Sequence, residues 1–336
     1  MFLNPWSLAL CLLSGLSIFL IGVACKTAIR VIRQWNPAAD SQQQIELESE
    51  IWLSSTLVQY GLGFQIISMF LYVLAADSFA QMLSGAMCAT GSLLANDYGI
   101  PLLVVKIAGM FLYGLWIVLH QLDISSEEYP LVRVKYVLLL FLLPLLVSDT
   151  VLLILYLAGL EPDIITSCCA IIFDEGAGGT VQNLFGGRGG EGSLAFYYGW
   201  AMLLFCLGFL AWWWQKLAAY LIYGIGVAFF GVLALETLIT VFSSYIYAMP
   251  FHNCPFCILK KEYGYIGFFI YIPLFVAVFC GITPMLLEPC KRKSSIASTV
   301  ATMQKKLVVV SLASLAFYVT LSSYHYLAYT LLGGEG

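Results

Sequence analysis

Eight stretches of this chain, residues 6–24, 52–75, 101–120, 137–158, 195–214, 218–246, 265–286 and 307–330, are apolar for as long as a helix needs to cross a bilayer. A chain of 336 residues that is 61% hydrophobic and only 10% charged has too little polar surface to cover a soluble core. The expectation is an all-α, polytopic membrane protein forming a single integral membrane domain over residues 1–336. Net charge is −4, with no basic stripe or basic–aromatic interleaving, so nucleic acid is excluded as a partner and membrane lipid is the obligatory one.

The basic residues set the expected orientation. Lys26, Arg30, Arg33, Arg133, Lys135, Lys216, Lys291, Arg292, Lys293, Lys305 and Lys306 all fall in alternate connections, and they make up eleven of the fifteen basic residues. Only Arg188, Lys260 and Lys261 fall in the others, and Lys106 lies within a span. The positive-inside rule then places both chain ends outside, in a cell or inner membrane. The first span has no basic residue before it and is longer than a signal-peptide core, so it reads as a retained anchor. Three helical hairpins open outward, and each outer loop carries cysteine: Cys88, then Cys168 and Cys169, then Cys254 and Cys257.

Cys254-Pro255-Phe256-Cys257 is the most specific motif, because two intervening residues let both sulfurs meet in one turn. In such a pair the first thiol is often acidified and attacks disulfides, and His252 with Lys260 and Lys261 would favour its thiolate. The likeness to thiol oxidoreductase sites is confined to these four residues. The same spacing suits a soft metal such as Cu(I), with His252, Cys254 and Cys257 as ligands and Cys88 or Cys168 as a fourth. A structural bridge fits as well, since outer cysteines oxidise. Vicinal Cys168 and Cys169 rarely bridge each other, so one of them pairs better with Cys88, which leaves an odd thiol. Most of Cys11, Cys25, Cys206, Cys280 and Cys290 read as small buried hydrophobes. Methionines do not cluster as in a copper conduit, which counts against copper transport.

Beneath the cysteine rim lie four ionisable groups within spans. At ~1.5 Å per residue, Lys106 and His325 lie roughly 8 Å below the outer ends of their spans, Asp149 roughly 14 Å and Glu236 roughly 15 Å. Such groups pair in the bundle interior, line a proton pathway or contact a quinone head group. The simplest structural expectation is an ion pair between Lys106 and Asp149. Residues 34–51 read as a short polar helix or solvated connection on the inner surface. Residues 176–192 read as a flexible glycine-rich linker without the signature of a phosphate loop.

Three functions remain open on these residues: thiol–disulfide exchange coupled to quinone, binding or transport of a soft metal, and a scaffold stapled by disulfides. The first two imply an extracytoplasmic thiol protein or a metal-carrying protein as partner.

Overall fold

The computed structural model describes residues 3–35, 42–126, 128–161, 191–249 and 252–331. It is all-helical among these residues, and eight helices are long and apolar enough to cross a membrane. Every expected span lies within one of them, except that span 265–286 begins one residue early, at Tyr265, which precedes its helix. The chain divides into two compact units: residues 1–166 with 290–299, and residues 167–289 with 300–336.

The first unit is built on α1 (Pro5–Gln34), α2 (Gln42–Ala80), α3 (Ala89–Leu93), α4 (Gly99–Asp123) and α5 (Val132–Ala158). Asn4 caps α1 by accepting a hydrogen bond from the Trp6 amide at 2.9 Å, with Pro5 at the first helical position. The buried side of α1 is Ser7, Leu10, Ser14, Ser17, Ile21, Ala24, Ala28 and Val31, a three-four repeat dominated by small residues. Lipid tails are as apolar as leucine, so membrane helices associate through such close-packed seams. Here the seam lets the Ser17 hydroxyl reach the Gly61 carbonyl of α2 at 3.0 Å. Leu12, Phe19 and Val23 lie on the exposed side.

Two expectations for this unit are corrected. Residues 42–51 form neither a separate surface helix nor a solvated connection; α2 runs unbroken from Gln42, because Gln44, Leu47 and Ile51 continue the buried stripe of the span below. Arg30 of α1 meets Glu50 of α2 at 2.5 Å, but with both side chains about 40% exposed the pair contributes little. Lys135 is the second correction. It is not a loop charge facing head groups, because α5 begins at Val132 and the Lys135 ammonium is buried against Asp123 at 2.7 Å. The apolar criterion stopped short of both residues, although together they are neutral.

The second unit contains α6 (Glu191–Trp214), α7 (Leu217–Thr237), a π-helical turn (Leu238–Phe242), α8 (Ser243–Tyr247), α9 (Ile266–Leu287) and, from Val300 onward, α10 (Ala297–Leu331). Gln215, at φ 49°, makes the tight connection from α6 to α7. Glycines line the α7–α9 seam: a Cβ at Gly231 would meet Val278 at 2.9 Å, and one at Gly281 would meet Val227 at the same distance. Hydroxyls cross-link the helices, with Ser311 donating to the Ala277 carbonyl at 2.7 Å and Tyr318 to that of Ala234 at 3.0 Å. Lys305 lies 5.8 Å from the Trp212 ring centroid. Cys206 lies on the exposed side of α6, whereas Cys280 and Cys290 are buried and Cys11 and Cys25 partly so.

Candidate functional site

The Cys254-Pro255-Phe256-Cys257 motif lies in the connection from α8 to α9. Ala248 ends α8 in the left-handed region at φ 52°, which turns the chain sharply out of the helix. From the last residue of the motif onward, Cys257–Leu259 and Lys261–Tyr263 form single 3-10 turns, and Gly264 and Tyr265, both left-handed, lead into α9. The turns bring the Cys254 and Cys257 sulfurs within 4.8 Å of each other. Both residues are buried, at 1% and 7% exposure.

Two tyrosines from opposite sides of the loop hold it. Tyr247 of α8 donates its hydroxyl to the Cys254 carbonyl, and Tyr271 of α9 donates to the Pro255 carbonyl at 2.6 Å. Those carbonyls lie in a turn with no ladder to satisfy them, so the phenols fix the backbone on which the sulfurs ride. Ser244 donates to the Asn253 side-chain oxygen at 3.2 Å. Gly267 is required beneath the loop, since a Cβ there would lie 2.9 Å from the Ile258 carbonyl oxygen. The His252 ring stands edge-on to Tyr247 with centroids 4.6 Å apart, and Tyr263 packs on the same phenol at 4.8 Å. Partial burial, with Cys257 and Glu262 nearby, pushes the Tyr263 phenol above its ordinary value. The pair is thus set in an ordered aromatic collar rather than on a loose loop.

In the first unit Cys88 is 1% exposed and precedes α3, whose residues are all buried. The segment is therefore more than an exposed turn ahead of a span. Ser92 shares a hydrogen bond with the Tyr156 hydroxyl at 2.7 Å, and Asn96 donates to the Tyr156 carbonyl at 3.0 Å. A Cβ at Gly99 would sit 2.2 Å from the Leu93 carbonyl oxygen, so only glycine lets α4 start against α3. Cys168, Cys169 and the glycine-rich stretch between α5 and α6 lie outside the described residues.

The expected Lys106–Asp149 pair forms, with Nζ 3.0 Å from Oδ2 and both side chains almost fully buried. Lys106 also donates to the Ser68 hydroxyl at 2.9 Å, and Ser68 donates to Gln65 Oε1 at 3.2 Å. Lys106 and Asp123 lie near opposite ends of α4, and each pairs with a residue of α5. The two crossed ion pairs, with reversed polarity, fix the register of this hairpin. At the second pair the His120 ring nitrogen Nδ1 lies 3.4 Å from Lys135 Nζ. The Trp116 ring stacks on His120, and its indole donates to the Lys135 carbonyl at 2.8 Å.

Glu236 and His325 belong to the second unit, and both are half-buried. Glu236 Oε2 is buried with no hydrogen-bond partner among the described residues. Its helix opens into the π turn two residues later, and the Thr240 hydroxyl folds back on the Glu236 carbonyl at 2.9 Å. π turns within helices gather at functional sites. His325 packs against Tyr324, with centroids 5.3 Å apart. Sequence reasoning missed Tyr247, Tyr271, Gln65, Ser68, and the cluster of His120, Asp123 and Lys135.

Comparisons with protein-family models, with curated proteins and with solved structures find no match for this chain.

Proposed function

We propose that the protein is an integral membrane thiol–disulfide exchanger, in which Cys254 and Cys257 trade electrons with a thiol protein outside the membrane and with lipid-soluble quinone. The observation that carries this reading is the buried, collared proximity of the two sulfurs, within 4.8 Å at the start of a 3-10 turn. An oxidised pair accepts two electrons and two protons from a partner dithiol, which becomes a disulfide. The reduced pair passes the same two electrons and two protons to quinone, giving quinol and restoring the bridge. Cys88 and one of Cys168 and Cys169 are assigned as the relay from the pair, on the sequence argument that all five cysteines share the outer side.

Within the first unit Lys106 and Asp149 are assigned to a quinone head group and its protons, and within the second unit Glu236 and His325 are assigned the same role separately. Soft-metal binding and a stapled scaffold are the competing readings. Mass spectrometry of the purified protein tests all three: redox exchange requires a reducible Cys254–Cys257 bridge without stoichiometric metal. Bound metal would favour the second reading. Fully bridged cysteines that resist partner thiols would favour the third.

The proposed orientation, with both ends and the cysteine loops outside, still rests on ten inner basic residues once Lys135 is set aside. A membrane-impermeant maleimide should label Cys257 in intact cells after mild reduction and leave Cys290 untouched. Labelling of Cys290 alone would reverse the topology and remove the cysteines from the outer face.

A further inference from the structure

The polar group around Lys106 is a hydrogen-bonded chain open at both ends. The Lys106 ammonium donates to Asp149 Oδ2 on one side and to Ser68 Oγ on the other, and Ser68 donates onward to Gln65 Oε1. Gln65, Ser68, Lys106 and Asp149 are each less than 5% exposed. At one end Gln65 Nε2 is a buried donor, and at the other Asp149 Oδ1 is a buried acceptor; neither has a hydrogen-bond partner among the described residues. Leaving a buried polar atom unpaired is costly in protein and more so in hydrocarbon, and here two such atoms of opposite character terminate one chain.

A single hydroxyl complements both ends, because its oxygen accepts from Gln65 Nε2 while its hydrogen goes to Asp149 Oδ1. We infer that Gln65, Ser68, Lys106 and Asp149 form an intramembrane site for one hydroxyl group, which closes the chain into a ring. A bare carbonyl fits less well, since it satisfies Gln65 and leaves the carboxylate oxygen open. A metal cation is disfavoured because the Lys106 ammonium already neutralises the carboxylate. The hydroxyl belongs either to a bound water or to a quinol. The quinol source rests on the redox reading above, and the water source does not.

A density map of the full-length protein that resolves ordered solvent, with and without decylubiquinol, tests this. It is paired with thermal unfolding in the presence of decylubiquinol or of its dimethyl ether, which has no hydroxyl to donate. An oxygen within hydrogen-bond distance of both Gln65 Nε2 and Asp149 Oδ1 in both maps assigns the site to water, and it supports the inference even if quinol never binds. The same oxygen seen only with decylubiquinol, and stabilisation by the quinol but not by the ether, assigns it to quinol. In that case Gln65→Met should weaken quinol binding roughly tenfold, as expected for one lost hydrogen bond. Absence of any bridging oxygen in either map, with equal stabilisation by quinol and ether, would overturn the inference.

Discussion

Protein carrying Cys257→Ser, presented with the oxidised, disulfide form of its partner, should accumulate a covalent adduct, visible on non-reducing gels and released by reductant. Run against the partner's disulfide, the reverse of the oxidation proposed above, exchange proceeds through a mixed disulfide: the attacking thiolate displaces one partner sulfur, which leaves as a thiol, and the second thiol of the pair ordinarily expels the partner as a dithiol while the pair closes to a bridge. With that thiol a few ångströms away, within 4.8 Å, resolution is fast; with a serine hydroxyl in its place, the adduct waits for an external thiol. The N-terminal position of Cys254 assigns it the attack. Because Cys254 is the more buried of the two, its collar must open locally for the partner to reach it. Cys254→Ser should then trap nothing. If Cys254→Ser traps instead, the roles of the two sulfurs are reversed.

The same variant separates the competing functions. A metal site that loses one thiolate loses metal without forming an adduct, because ligand removal lowers affinity but creates no electrophile. A purely structural bridge shows neither effect and only lowers the unfolding temperature. Gels and metal analysis on one preparation therefore decide among the three, and an absence of adduct from both serine variants would end the redox reading.

How far the sequence foretold these features follows from range. The eight spans were legible because length and apolarity are local properties that the bilayer makes decisive. Their ends were not, because Gln42–Ile51 and Val132–Lys135 are polar enough to look like connections yet are carried into helix by packing and pairing with other helices. The Cys254–Cys257 proximity was legible because it needs only one turn of chain. The collar was not, since Tyr247 and Tyr271 lie 7 and 16 residues from the carbonyls they hold and resemble any interfacial tyrosine. Lys106 and Asp149 were foreseeable as two opposite charges at outer-half depth in adjacent spans. Their neutral companions Gln65 and Ser68 carried no such mark, Lys135 passed for a basic residue of an inner connection, and nothing in the sequence singled out His120 or Asp123.

Removing one member of the Lys106–Asp149 pair should destabilise the first unit by roughly 3 to 5 kcal/mol, the usual cost of stranding a buried charge. Among the described residues, Lys106→Met leaves a carboxylate in hydrocarbon with no counter-ion, and Asp149→Leu leaves an ammonium with only Ser68 and the Tyr72 ring, whose centroid lies 5.9 Å away. The double variant should recover most of the loss, since two apolar side chains of similar size leave no charge behind and the Ser68–Gln65 hydrogen bond survives within α2. The Lys135–Asp123 pair should behave differently. Asp123 also accepts from the Leu131 amide at 2.7 Å, and Lys135 also contacts His120. Neutralising both would orphan a buried backbone donor and a ring nitrogen, so its double variant should recover much less. Unfolding in mixed detergent, measured for the two double-mutant cycles, checks the contrast. A Lys106→Met/Asp149→Leu protein no more stable than its worse single variant would show that the pair does more than neutralise itself.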